Sequence, residues 1–253
     1  MFAEERHRKI VDLLHAHGTV KVKQLSGMFH VSEDCIRKDL SYLEKMQLVK
    51  RIYGGAVLPR ENTLDPTLAK RKIEDDQGKR IIAQKALSLI QPGDTIFLDI
   101  STINAILARL LLQSGKRVTV VTNMVEIIEE FATQSNVTLI ATGGTFNQFC
   151  DGFIGSICID AISQYRFDLG FLGVVGADPY QNRTYSYEAE EGLTKRAIVR
   201  ASRKAYLLLE EKKFSRDGNY QVLPLDHFAG VITEKTPEPK VLEALGQLNI
   251  EVL

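Results

Sequence analysis

Arg37, Lys38 and Ser41 interleave with apolar residues spaced by four and three, Ile36, Leu40 and Leu43. On a helix that spacing buries the apolar stripe and leaves the polar side chains off it. Ser32 is a good N-cap for this helix, with Glu33 and Asp34 in its first turn. An outward Arg fork suits O6 and N7 of guanine in a major groove, and Lys can do the same or hold a phosphate. Further on, Lys50 and Arg51 precede Tyr53, Gly54 and Gly55, a basic pair beside a tight turn and placed to touch phosphates. The same residues also fit a protein-contact module in which Arg37 and Lys38 are solvated charges paired with Glu33 and Asp34.

A second group of chemically capable residues follows short β-branched runs: Asp99, Ser101 and Thr102, then Thr122 and Asn123, then Gly143 and Gly144. Ser101 and Thr102 precede a helical pattern and can offer hydroxyls and backbone N–H groups to an anion. The glycine pair permits close backbone approach. Lys195 and Lys213 are candidate countercharges. Asp99, Asp168 and Glu190 would serve as general bases only if buried beside a ligand, and a strand-end Asp equally well caps a helix. No P-loop is present, and Gly170–Gly176 fits GxxGxxG, a poor dinucleotide fingerprint better read as small residues for helix packing. His7, His15, His17 and His30 lack metal-site spacing and read as surface or phosphate-facing groups. Cys150 and Cys158 read as small buried hydrophobes. No metal, cofactor or catalytic residue is expected.

The elements that must hold these groups follow from periodicity. Helices are predicted over Glu4–Ala16, ending near Gly18, over Val22–Phe29 with Leu25, Met28 and Phe29 inward, and from Ser32 to Lys45. A strand over Gln47–Tyr53, a turn at Gly54-Gly55 and a returning strand Ala56–Leu58, closed by Pro59, make a wing. Two helices joined by the turn His30-Val31-Ser32, followed by a wing, give a winged helix-turn-helix. A polar stretch leads to a charged helical run, Thr67–Ile90, interrupted at Gly78. Strands are then predicted at Thr95–Leu98, Arg117–Val121, Val137–Ile140, Phe167–Val174 and Lys204–Leu209, with weaker ones at Gly230–Thr233 and Ile250–Val252. Helices at Thr102–Leu112, Val125–Thr133, Phe153–Ser163, Glu188–Ser202 and Glu238–Leu248 alternate with them. That alternation predicts a mainly parallel sheet covered on both faces, with ligands at the carboxyl ends of its strands.

The 253 residues suffice for one or two domains, and 44% hydrophobic with 25% charged residues excludes global disorder. Equal totals of 32 basic and 32 acidic residues hide an asymmetry: the first sixty residues carry 11 Lys or Arg against 7 Asp or Glu. A basic head on an acidic body suggests a polyanion partner for the head. Three scattered cysteines and the lack of a leader-like or membrane-length apolar run point to a reduced, cytoplasmic protein.

Val31-Ser32-Glu33-Asp34-Cys35-Ile36-Arg37-Lys38-Asp39-Leu40, with Leu43-Glu44 and Arg51-Ile52-Tyr53-Gly54-Gly55-Ala56, resembles the N-terminal signature of the DeoR family of bacterial transcription regulators. Cys35 replaces the usual Thr and Lys38 the second Arg. The resemblance continues through Leu98–Ile103, Val121-Thr122-Asn123, Gly143-Gly144, Glu191 to Lys195, and Glu210–Phe214. It implies a sensor domain similar to the sugar-phosphate isomerase fold, binding a phosphorylated sugar through Asp99, Ser101, Thr102, Thr122, Asn123, Gly143, Gly144, Glu191, Lys195 and Lys213. Ser101 stands where Gly is usual, Ile103 where Thr is, Glu210 for Asp and Lys212 for Ser. These departures cluster in the effector site.

The expectation is therefore a winged helix-turn-helix domain over 1–58, a linker and connecting helix over 59–78, and an α/β sensing and oligomerisation domain over 79–253. Ser32, Glu33, Arg37, Lys38, Ser41, Lys50, Arg51, Tyr53, Gly54 and Gly55 would meet a double-stranded DNA operator. The family-typical function is a repressor of carbohydrate genes, a homodimer or homotetramer away from membranes, and not an enzyme. Two alternatives stand beside it: a regulator-like protein with a degenerate sensor pocket, and a sugar-phosphate isomerase fused to a nucleic-acid module.

Overall fold

A computed structural model describes residues 3–46, 48–57, 61–62, 76–132 and 136–253. The chain forms two compact units, Met1–Glu61 and Asn62–Leu253. Of the predicted linker and connecting helix, residues 61–62 and 76–78 are described, whereas residues 59–60 and 63–75, like the predicted strand ends at Gln47 and Leu58, lie outside the described residues.

The first unit contains α1 (Ala3–His17), β1 (Thr19–Lys21), α2 (Val22–Phe29), α3 (Glu33–Lys45), β2 (Lys50–Ile52) and β3 (Gly55–Val57). Gly18 stops α1 with a positive φ of 69°. Ile10, Leu14, Leu25, Phe29, Ile36, Leu40, Leu43, Val49 and Ala56 form one buried cluster. Met28, expected inside, is 57% exposed. The buried stripe of α2 is Val22, Leu25 and Phe29, and Met28 lies about a quarter turn from its centre. Strand β1 was not anticipated; three residues are too few for periodicity to register. It pairs antiparallel with β3, which also pairs with β2. The wing turn falls at Tyr53-Gly54, and Gly55 belongs to β3.

The second unit begins with α4 (Asp76–Leu89). This helix runs through Gly78 without interruption, because burial of Ile82, Ala83 and Ala86 outweighs the weak helical preference of one glycine near its start. It continues through β4 (Thr95–Leu98), α5 (Thr102–Ser114), β5 (Thr119–Thr122), α6 (Val125–Phe131), β6 (Thr138–Ala141), β7 (Thr145–Asn147), β8 (Gly152–Ile154), α7 (Ser156–Ser163) and β9 (Phe167–Gly173). Then come β10 (Gly176–Asp178), β11 (Arg183–Ser186), α8 (Ala189–Ala201), β12 (Ser202–Leu208), β13 (Tyr220–Gln221), β14 (Gly230–Ile232), α9 (Pro239–Gln247) and β15 (Glu251–Val252). Phe153, predicted to be helical, lies in β8, and α7 starts only after Gly155.

The seven-stranded sheet has the order β15-β14-β12-β9-β4-β5-β6, with every pair parallel. Side-chain alternation divides two cores between its faces. Ile96, Leu98, Val120, Phe171 and Leu208 pack with α4, α5 and α6. Phe97, Val121, Leu172, Leu207 and Val231 pack with α7, α8 and α9. Strand order runs outward one way from β4 and the other way from β9, so the switch point lies between their carboxyl ends.

Candidate nucleic-acid interface and strand-end site

The turn between α2 and α3 is fixed locally. His30 takes the left-handed conformation, with φ 53°. The Ser26 hydroxyl donates to the Val31 carbonyl at 2.6 Å, and the Ser32 hydroxyl accepts from the Cys35 N–H at 3.2 Å, capping α3. The opposite face of α3 is nailed down by Ile36, Leu40 and Leu43, each at most 2% exposed. Arg37 and Lys38 consequently face outward, with Ser41 half-buried beside them. Arg37 reaches back along its own helix to Glu33 at 2.8 Å and Asp34 at 2.7 Å. These exposed pairs are weak, on the order of 0–1 kcal/mol, and are readily exchanged for a stronger acceptor.

The wing is anchored to α2 and α3. Gly54 has φ 77°, and its carbonyl accepts from the Val22 N–H at 2.8 Å. A Cβ on Gly55 would lie 1.9 Å from the Val20 carbonyl oxygen, so only glycine allows β1 and β3 to approach there. The Arg51 N–H donates to Glu44 at 2.9 Å, which orients the basic strand against α3. Lys50, Arg51 and Tyr53 are exposed.

Two contributors were missed. Asp39 is buried and takes a two-pronged contact from Arg6, at 2.6 and 2.9 Å, plus a contact to His7 at 2.8 Å. Burial alone would raise the Asp39 carboxyl, but the hydrogen bonds from Arg6 and His7 outweigh it and hold it below its ordinary range. His7, read from sequence as a surface or phosphate-facing group, also stacks on Tyr42 with ring centroids 4.8 Å apart. The signal existed: Asp39 follows Ile36 by three positions and so lies on the apolar stripe, where an acid needs a cation.

In the second unit the structure joins several predicted residues at the switch point. Asp99 and Lys195 are each 1% exposed. Lys195 Nζ lies 2.5 Å from Asp99 Oδ2 and 3.2 Å from Glu191. Burial alone would lower the Lys195 ammonium, yet the two carboxylates overcome it and hold its pKa above the usual lysine value. Burial pushes the Asp99 carboxyl up, against the pull of that ammonium. Lys195 is thus already neutralised by protein acids.

The Ser101 hydroxyl accepts from the Ile103 N–H at 3.2 Å, capping α5. A Cβ on Gly173 would come within 2.7 Å of Ser101, which explains a glycine at that strand end. The Thr122 hydroxyl donates to the Leu98 carbonyl at 2.7 Å. Asn123 donates through its side chain to the Phe153 carbonyl at 3.0 Å and accepts the Phe153 N–H on its own carbonyl at 2.7 Å. These bonds lay the β7–β8 hairpin against the end of β5. Asn147 then links the hairpin to Glu188 at 3.1 Å, the residue preceding α8. Gly144, with φ 121°, leaves room for Cys158. Lys213 donates to the Val174 carbonyl at 3.0 Å, just beyond β9, while Glu210 is paired with Lys212 at 2.9 Å.

Asn104 was not anticipated. Its amide donates to the carbonyls of Asp99 and Phe171, both at 2.8 Å, tying β4 to β9 across the switch point. With both amide hydrogens committed, its Oδ1 is a buried acceptor without a partner among the described residues, as is Asn123 Oδ1. Such acceptors suit hydroxyl donors.

Residues 6–62 match the family model described as a DeoR-like helix-turn-helix domain, and residues 74–235 match the DeoR C terminal sensor domain. The chain belongs to the DeoR family. This makes it a DNA-binding transcription regulator and not an enzyme, setting aside the isomerase alternative. Among its relatives in the family, the glycerol-3-phosphate regulon repressor of Escherichia coli K12 is 30% identical over 98% of this chain and 97% of its own length. The lactose phosphotransferase system repressor of Lactococcus lactis is 28% identical over 98% of this chain and 97% of its own. Among solved structures, ribose 5-phosphate isomerase A of Methanocaldococcus jannaschii matches 55% of this chain and 55% of its own at 14% identity and a TM-score of 0.41, a likeness too remote to carry an argument. Among the described residues, no helix is long and apolar enough to cross a membrane.

Proposed function

We propose that this DeoR-family chain represses genes of carbohydrate use by binding a double-stranded operator and releasing it when a phosphorylated sugar occupies the strand-end site. The observation that carries the reading is the two-sided character of α3: three apolar anchors against the core and Arg37, Lys38 and Ser41 on the open face. In this reading Arg37 and Lys38 read base edges, after Arg37 exchanges its contacts with Glu33 and Asp34. Ser32 and Glu33 shape the start of α3. Lys50, Arg51 and the exposed Tyr53-Gly54 turn meet the phosphate backbone, while Gly55, buried in β3, holds the wing against β1. One helix offers too little contact for a long specific site, so the operator engages a homodimer or homotetramer. The head extends over 1–58, the connection starts at 59, and the uninterrupted α4 opens the sensor.

For the effector, Asn104 and Asn123 offer unpartnered acceptors to sugar hydroxyls, and Ser101 and Thr102 open α5 toward an anion. Gly143 faces open space at the end of β6, where Gly144 packs against Cys158, and Lys213 stands just beyond β9. Asp99, Glu191 and Lys195 act as a closed ionic unit that shapes the floor. The named functions of the relatives, a glycerol-3-phosphate regulon and a lactose phosphotransferase system, agree with a phosphorylated ligand. One observation favours a shifted ligand: the Ser101 side chain occupies space that glycine would leave open and consumes the Ile103 N–H.

The test is release of bound DNA by a panel of phosphorylated sugars, each paired with its unphosphorylated parent. The reading expects release by at least one phosphorylated member and by none of the parents. Full retention across the panel would overturn the effector assignment.

A further inference from the structure

We infer that Arg6 and His7 of α1 are positioning residues for DNA recognition, setting the roll of α3 through Asp39 and Tyr42. The inference rests on α3 reading DNA and adds what determines its orientation. Arg6 holds both Asp39 oxygens, at 2.6 and 2.9 Å, with side-chain exposures of 8% and 7%. A two-pronged guanidinium–carboxylate contact fixes rotation as well as separation, which a single point contact cannot do. His7, the next residue, contacts the same carboxylate at 2.8 Å and lays its ring on Tyr42.

Asp39 and Tyr42 are three positions apart on α3, so adjacent residues of α1 grip its neighbouring turns on one side. Apolar contacts at Ile36, Leu40 and Leu43 hold α3 against the core but are non-directional. The polar grip supplies direction. Its site of action is immediate, because Asp39 directly follows Arg37 and Lys38. A roll of roughly 20° would swing a guanidinium about 8 Å from the helix axis by about 3 Å, more than a hydrogen bond tolerates. Arg6 and His7 therefore govern which bases Arg37 and Lys38 can reach, without touching DNA themselves.

The experiment measures affinity for a duplex selected by the full-length protein and for a scrambled duplex of equal length, with concentrations corrected for folded fraction by circular dichroism. Arg6→Lys keeps the charge but loses the fork, and His7→Phe keeps a ring but loses the contact to Asp39. The selected-to-scrambled affinity ratio should fall at least fivefold in Arg6→Lys and at least threefold in His7→Phe, while scrambled-duplex affinity changes less than twofold. Asp39→Asn should lower the ratio further, and Asp39→Glu, which restores the carboxylate, should recover part of it. A purely structural role would lower both affinities together through the folded fraction and leave the corrected ratio unchanged. An unchanged ratio in folded Arg6→Lys and His7→Phe would overturn the positioning role alone. Absence of any duplex preference in the wild type would overturn the DNA reading, and this inference with it.

Discussion

Replacing Lys195 by Met removes the cation from the most enclosed ionic cluster at the switch point while nearly preserving side-chain volume. Asp99 and Lys195 are each 1% exposed, and Glu191 is 14% exposed. In the variant, a fully enclosed carboxyl and a largely enclosed one lose their shared counterion. Breaking a buried pair in this way costs about 3–5 kcal/mol. For a domain of this size each kcal/mol moves the melting temperature by about 2–4 °C, so the expected drop is roughly 6–20 °C. The dependence on pH provides the sharper check. Without Lys195 the folded Asp99 carboxyl, already raised by burial, is pushed further above its ordinary value of about 4. The folded state then binds the proton more tightly than the unfolded chain. The variant is favoured below that ordinary value and loses stability as pH rises through the raised one. The penalty should therefore be smaller at about pH 5 than at about pH 8. Thermal unfolding of full-length protein by circular dichroism, fitted as two units, reads both quantities. A variant melting within about 2 °C of wild type, or equally destabilised at both pH values, would refute the ionic account.

Other outcomes follow from the head. Arg37→Ala should weaken binding to a selected operator by about 1–3 kcal/mol and relax preference at one base pair, with little change in melting, since its own contacts are exposed; an unchanged titration and unchanged preference reject base reading. Lys50→Ala or Arg51→Ala should reduce the slope of log affinity against log salt by about one unit, and an identical slope rejects a phosphate contact. Gly55→Ala forces a methyl group to within 1.9 Å of the Val20 carbonyl oxygen and should destabilise the head by at least about 2 kcal/mol in denaturant unfolding. A wild-type midpoint would show that β1 does not pack on the wing as described.

Much of this architecture is written in local pattern. The stripe Ile36, Leu40 and Leu43 with Ser32 ahead of it locates α3 within one residue, because a capped helix carries both its start and its face in sequence. The parallel strands were legible for the same reason: buried on both faces, they read as short β-branched runs between amphipathic helices. The β7–β8 hairpin was not legible. Gly152 and Phe153 are defined by contacts with Asn123 from a distant strand, a non-local bond that no periodicity records. At the strand ends, sequence located Asp99, Glu191 and Lys195 but not their closure into one cluster. From sequence Lys195 is a candidate countercharge, whereas geometry gives it two acids. Asn104 escaped notice because a polar residue in the first turn of a helix looks ordinary until both its amide hydrogens are traced to carbonyls on two strands.

Selection of bound duplexes from a random pool by the full-length protein tests the account at its centre. One motif should be enriched, arranged as repeated half-sites, with a guanine whose substitution matters to wild type and not to Arg37→Ala. Recovery of a pool no different from the input, or a motif indifferent to both Arg37 and Lys38, would contradict it.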